Sequence, residues 1–167
     1  MRAGDLLNIA VVTVSDTRTE ETDESGSVLV GCLKEAGHHL QSKQIVKDDI
    51  YEIRAIVSAL IAEPAVQTVL MTGGTGFTAR DNTLIAIEPL LDNVIEGFGE
   101  LFRQLSYEEI GTSTVQSRAF AGLSNGTILF CMPGSPGACR TGWYKIIAEQ
   151  LDSNHKPCNF IDKLKFD

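Results

Sequence analysis

Two hydrophobic periodicities alternate along this chain. Asn8 to Ser15 is apolar almost without a break and rich in β-branched residues, the pattern of a strand buried on both faces. Ser25-Gly26 then opens a helical pattern, with Leu29, Cys32, Leu33 and Ala36 on one face and Gly37 as its stop. His38 to Val46 reads as a weaker strand; its adjacent histidines, His38 and His39, face opposite sides and read as surface or edge residues. Ile50, Ile53, Val57, Leu60 and Ile61 mark a second helix, closed by Pro64, and Val66 to Thr72 a third strand. A short apolar helix is predicted over Thr83 to Leu91, and Gly97 opens another with Leu101, Leu105 and Ile110 to bury. Val94-Ile95 between them is too short to count as a strand. Asn125-Gly126 is a tight-turn signal leading into a buried strand, Thr127 to Met132. Trp143, Ile147 and Leu151 mark the last amphipathic helix, after which Asp152 to Asp167 shows no clear periodicity. Strands that alternate with helices predict a single α/β domain over residues 1–167, with a mostly parallel central sheet and helices on both faces.

The strand ends carry the polar residues. Ser15-Asp16, Asp48-Asp49, Thr72 to Asp81, and Pro133-Gly134-Ser135 each follow a predicted strand. Carboxyl ends of parallel strands gather on one edge of the sheet, where open α/β folds bind ligands. The third of these loops stands out, because Gly73, Gly74, Thr75 and Gly76 follow Thr72 and lead through Arg80 to Asp81. Glycine permits positive φ and close approach. Successive amides in such a turn form a concave anion site, to which the next helix adds its dipole. Asp81 is the one fixed carboxylate of the loop; in the plainer reading it only caps the next helix. One of Asp48 and Asp49 is expected to cap the helix that follows, leaving the other for a ligand or cation. Ser15-Asp16 reads equally as a solvated loop, and the Pro133 segment equally as a rigid surface turn.

Composition narrows the partners. The 167 residues are 43% hydrophobic and 22% charged, with a net charge of −8. No basic stripe exists to neutralise a phosphate backbone, so nucleic acid is not an expected partner. An anionic small ligand would need backbone amides, local cations or a divalent metal. Cys32, Cys131, Cys139 and Cys158 have no C-x-x-C spacing, which argues against a zinc site or a disulfide framework; Cys32 and Cys131 read as small core residues. No signal-peptide pattern opens the sequence and no apolar run approaches the ~20 residues of a membrane span, so a cytoplasmic protein without membrane contact is expected.

Three known motifs fit this pattern poorly. No Gly-Lys-Ser/Thr follows the glycines, which excludes a P-loop. Gly74-x-Gly76-x-x-Ala79 fits the dinucleotide fingerprint in letters but follows the third strand instead of the first. Gly122-Leu123-Ser124-Asn125-Gly126 fits a hydrolase elbow in letters, but a strand follows the serine where a helix is required. What remains is a set of amides, hydroxyls and carboxylates suited to a phosphorylated polar heterocycle. Paired aspartates of this kind suit Mg²⁺, and phosphoryl or nucleotidyl transfer uses such parts.

These residues carry a resemblance. Thr13-Val14-Ser15-Asp16, Asp23-x-Ser25-Gly26, Thr72 to Gly76 with Arg80-Asp81, Gly97-Phe98-Gly99-Glu100, Ser117-Arg118 and Met132 to Pro136 occur in the order found in the MoaB/Mog family of molybdenum cofactor biosynthesis, which includes the gephyrin G domain. The segment from Gly111 to Arg118 and the ending Lys156 to Phe160 resemble the MoaB branch most. The resemblance implies a three-layer α/β/α domain assembling as a homotrimer or homohexamer. It implies molybdopterin as ligand and Mg²⁺-ATP-dependent adenylylation of its phosphate. In that scheme Thr72, Gly73, Gly74, Thr75, Gly76, Pro133, Gly134 and Ser135 hold the ligand with Ser15 and Asp16 nearby, and Asp48 and Asp81 are catalytic and serve Mg²⁺. Leu84-Ile85 stands where the family pattern usually has Pro-Glu, and Lys47 where it often has Pro. A molybdopterin-binding or carrier protein with little turnover is the alternative.

Overall fold

A computed structural model describes residues 6–166. Six strands form one sheet in the order β2-β1-β3-β6-β5-β4. They are β1 Asn8–Val14, β2 His39–Val46, β3 Thr68–Thr72, β4 Asn93–Val94, β5 Phe120–Ser124 and β6 Thr127–Met132. The pairs β1–β2, β1–β3 and β3–β6 are parallel; β5–β6 and β4–β5 are antiparallel. The helices are α1 Glu24–Glu35, α2 Ile50–Ala62, α3 Thr83–Ile87, α4 Glu96–Ile110, α5 Pro136–Gly142 and α6 Ala148–Gln150, with a π-helical turn Trp143–Ile147 between the last two.

The continuous apolar runs are explained by burial on both faces. In β1, Ile9 and Val11 face one core while Ala10, Val12 and Val14 face the other. The same alternation divides Leu70 from Val69 and Met71 in β3, and Ile128 and Phe130 from Leu129 and Cys131 in β6. The first core gathers Leu29, Phe102, Cys139, Trp143 and Ile147 from α1, α4, α5 and the π turn. Ile53, Val57, Ala86 and Ile87 from α2 and α3 fill the second. Helices therefore cover both sides of the sheet, giving the three layers the resemblance implied. Among the described residues, no helix is long and apolar enough to cross a membrane.

Strand order positions the site. The chain leaves β1 for β2 on one side and returns past β1 to β3 on the other. That reversal opens a crevice at the carboxyl ends of β1 and β3, the usual ligand position in an open parallel sheet. Two sequence expectations are corrected here. His38 is buried, because its Nδ1 accepts a hydrogen bond from the Leu7 amide at 3.2 Å and its ring meets Trp143 edge-on, with centroids 6.2 Å apart. Next to Val94-Ile95, Asn93–Val94 does form a strand, since the ladder to Leu123 and Gly122 supplies what two residues could not signal locally. Asn125 and Gly126 adopt positive φ, 51° and 72°, as the turn signal required, and the Ser124 hydroxyl donates to the Leu90 carbonyl, far from any elbow geometry.

Candidate active site

Each of the four loops is held against a neighbour. Gly73 closes on β1 and β6: its amide donates to the Met132 carbonyl at 2.9 Å, and a Cβ placed on it would lie 2.2 Å from the Val14 carbonyl oxygen. With φ at +98°, only glycine satisfies both the backbone conformation and the space. The Thr72 hydroxyl donates to the Pro133 carbonyl at 3.0 Å, and a Cβ on Gly134 would meet the Gly73 Cα at 3.2 Å. Ser135 caps α5, accepting from the Ala138 amide at 3.1 Å. Ser15 Oγ accepts from the amides of Thr17 and Arg18 at 3.2 and 3.0 Å. The Pro133–Ser135 and Ser15–Asp16 segments thus flank the glycine loop.

Of the two aspartates after β2, Asp49 is the cap: its Oδ1 accepts from the amides of Tyr51 and Glu52. Asp48 turns to the glycine loop and is 3% exposed. Its Oδ1 accepts from the Asn82 amide at 2.8 Å, and its backbone carbonyl accepts from Asn82 Nδ2 at 3.2 Å. A Cβ on Gly74 would lie 2.9 Å from Asp48 Oδ2, so the missing side chain makes room for this carboxylate. Burial pushes the Asp48 carboxyl above its ordinary pKa, against the hydrogen bonds from Asn82, and the charges of Asp81 and Asp16 push the same way.

Asp81 does not cap α3. That helix has Asn82 at its N-cap, without a side-chain bond there. Instead Asp81 Oδ2 closes its own turn, accepting from the Thr78 amide at 2.9 Å and the Thr78 hydroxyl at 2.7 Å. Burial raises the Asp81 pKa, but bonds from Thr78 and Gly76 with the charge of Arg118 outweigh it, and the net shift is downward. The Thr83 hydroxyl donates to the Gly73 carbonyl at 2.8 Å and its amide to the Gly74 carbonyl at 3.0 Å. Among the described residues, the Gly74 and Thr75 amides donate to no protein acceptor.

Asp16 lies at the rim, paired with Arg80 through two bonds of 2.7 and 2.8 Å. It also accepts from the Asp48 amide at 3.1 Å. The Arg80 hydrogen bond first, and the Asp48 amide second, hold its pKa down at about 2. Arg80 and Arg118 were visible only as motif letters, because a cation recruited from a distant position leaves no local periodicity. Leu84 packs into the second core, whereas Ile85 is exposed; the Ile85 and Ala86 carbonyls accept from Arg54, both at 3.0 Å. The side chain at position 85 forms none of the hydrogen bonds that hold Asp48 or Asp81.

Comparison with known proteins identifies the family. The family described as "Probable molybdopterin binding domain" matches residues 10–153. The chain is 58% identical over 157 residues to molybdenum cofactor biosynthesis protein B of Escherichia coli, covering 94% of this chain and 92% of that protein. It belongs to the MoaB/Mog family. The Bacillus cereus member is 51% identical over 142 residues, with 84% of each chain covered. A crystal structure of a molybdenum cofactor biosynthesis protein B superposes with a TM-score of 0.85 at 50% identity, covering 87% of this chain and 91% of that one. The Pyrococcus furiosus MoaB, described as a tungsten cofactor synthesizing protein, superposes with a TM-score of 0.75 at 38% identity, covering 86% of this chain and 92% of that one. The loops described above lie within the matched residues 10–153.

Proposed function

We propose that this protein binds molybdopterin and transfers the adenylyl group of ATP to its phosphate. One observation supports this most: Asp48, just past the end of β2, accepts from the amide of Asn82, the residue after Asp81, at 2.8 Å, which holds it against a loop with two spare amides. In the reaction an oxygen of the pterin phosphate bonds to the α-phosphorus of ATP. The bond from that phosphorus to its bridging oxygen breaks, and pyrophosphate leaves. Such a transfer asks the protein to position the groups and balance their charge.

In this reading Asp48 and Asp81 offer Mg²⁺ two carboxylates; among the described residues no group of three or more His, Cys, Asp or Glu side chains is placed to hold a metal. Asp48 Oδ2 sits in the space left by Gly74, and the crowding of Asp48 by two further carboxylates favours a cation there. Asp48 and Asp81 would hold it, with phosphate oxygens completing its shell, as Mg²⁺ prefers. When bound, the ion supplies positive charge where phosphate charge accumulates. The Gly74 and Thr75 amides take phosphate oxygens, and the Pro133–Ser135 and Ser15–Asp16 loops bound the ligand on either side. Arg80, held on Asp16, lowers the negative potential that an anionic substrate meets on entering.

Exposed apolar residues on β4, α4 and the turn after it support assembly as a homotrimer or homohexamer: Val94, Tyr107, Ile110 and Val115 are all more than half exposed. The catalytic reading is tested by incubating the protein with molybdopterin, ATP and Mg²⁺ and following AMP transfer. Transfer is expected, and Asp81→Asn abolishes it while keeping most pterin affinity. Tight pterin binding without transfer by the wild type would make this a carrier instead.

A further inference from the structure

We infer that Arg118 is a positioning residue for this site, its guanidinium setting the curvature of the Gly76–Asp81 turn and thereby the placement of Asp81. The inference rests on the reading above for what the loop binds, but not for how the loop is held.

Arg118 stands two residues before β5, yet it serves a turn 37 to 42 residues away. Its Nη2 donates both to the Gly76 carbonyl and to the Asp81 carbonyl, the latter at 2.9 Å. One nitrogen thus ties the first residue of the turn to the last. Its backbone amide donates to the Thr75 carbonyl at 3.0 Å, which anchors the same loop one residue earlier. The guanidinium also lies over the Phe77 ring, 4.7 Å from its centroid, although Phe77 itself is 65% exposed. From inside, the Asp81 carboxylate closes the turn on Thr78. From outside, Arg118 closes it through main-chain carbonyls. Among the described residues the buried Arg118 Nε has no partner. An unpaired buried donor is unfavourable, so the contacts that orient this guanidinium are retained against a cost. A lysine ammonium has neither the planar face that stacks on Phe77 nor the fixed fork.

The test uses the full chain as Arg118→Ala and Arg118→Lys. Three readouts apply: thermal stability, the amide resonances of Gly76 and Thr78, and molybdopterin titration without metal alongside adenylyl transfer. Both variants are expected to shift the amide resonances. Arg118→Ala is expected to lose on the order of 100-fold in kcat, the scale of a ~1 Å misplacement, with KM within a few-fold. Millimolar guanidinium should restore both resonances and turnover in Arg118→Ala. Unshifted resonances with wild-type turnover in either variant, or no restoration by guanidinium, overturns the inference. If Arg118→Ala does not fold, Arg118→Lys answers alone by the same criterion. If the wild type transfers no AMP, the reaction assigned above fails, and the resonances and pterin affinity of the variants still decide the role of Arg118.

Discussion

Gly74→Ala tests the link between loop conformation and Asp48. Gly74 has φ of +67°, where a Cβ costs roughly 1–2 kcal/mol. The added carbon would lie 2.3 Å from Thr83 Oγ1, 2.9 Å from Asp48 Oδ2 and 3.1 Å from Val14 Cγ1. Thr83 Oγ1 can retreat only by giving up its bond to the Gly73 carbonyl, worth about 1 kcal/mol. Together these give about 2–3 kcal/mol of lost stability, or roughly 4–12 °C in Tm for a chain of this size. The Asp48 carboxylate must move as well, and turnover should fall on the order of 100-fold. Gly97→Ala is the matched control, since a Cβ there meets nothing within 4 Å and the residue lies in α4. Thermal unfolding by circular dichroism and adenylyl transfer on the same preparations read both effects. If Gly74→Ala matches Gly97→Ala in Tm and turnover, the claim that Gly74 makes room for Asp48 is refuted.

Asp48→Asn in chelator should unfold at higher temperature than the wild type at pH 7. Burial raises the folded pKa of Asp48, so ionising it costs stability as pH climbs past 3.8; the gap between the proteins should therefore close below that pH, and a less stable variant at pH 7 contradicts this. For Asp16 the sign is opposite: its folded pKa is depressed to about 2, so its contribution is full above 3.8 and is lost as pH falls through 2. Carboxyl NMR should show Arg80→Gln moving the Asp16 midpoint up toward 3.8, and an unmoved midpoint removes Arg80 as the cause. Asp23 caps α1 at the Gly26 amide, accepts from the Thr13 hydroxyl at 2.8 Å and pairs with Lys43 at 3.1 Å while 2% exposed. Asp23→Ala should cost about 2–3 kcal/mol in urea unfolding, because it removes a cap and leaves the buried Thr13 hydroxyl without its acceptor, while Lys43 keeps Glu20 at 2.8 Å; a loss under about 1 kcal/mol would contradict that role.

What could be read from the sequence was what is local or periodic. Asn8–Val14 and Thr127–Met132 announced their double burial through unbroken apolar runs. Asn125-Gly126 announced its turn, and the strand ends announced the rim. Capping chemistry also announced that one of Asp48 and Asp49 would cap α2 but not which one; the structure makes it Asp49. Long-range pairing was not legible. His38 looked like an edge residue because neither Leu7 nor Trp143 is near it in the periodic pattern. β4 was invisible because its two residues are a strand only against β5. The plainer reading of Asp81, as a helix cap, fails because its carboxylate turns back to Thr78, whereas a capping residue looks forward along the chain. Arg118 showed no local sign of its role, since its contacts lie 37 to 42 residues away.

The account stands or falls on where the ligand sits. A crystal structure of the protein with molybdopterin or its adenylylated product tests this most directly. The account predicts phosphate oxygens within hydrogen-bonding distance of the Gly74 and Thr75 amides, with Asp48 and Asp81 on the same side of the phosphorus. A ligand bound away from this rim, with the glycine loop untouched, would contradict it.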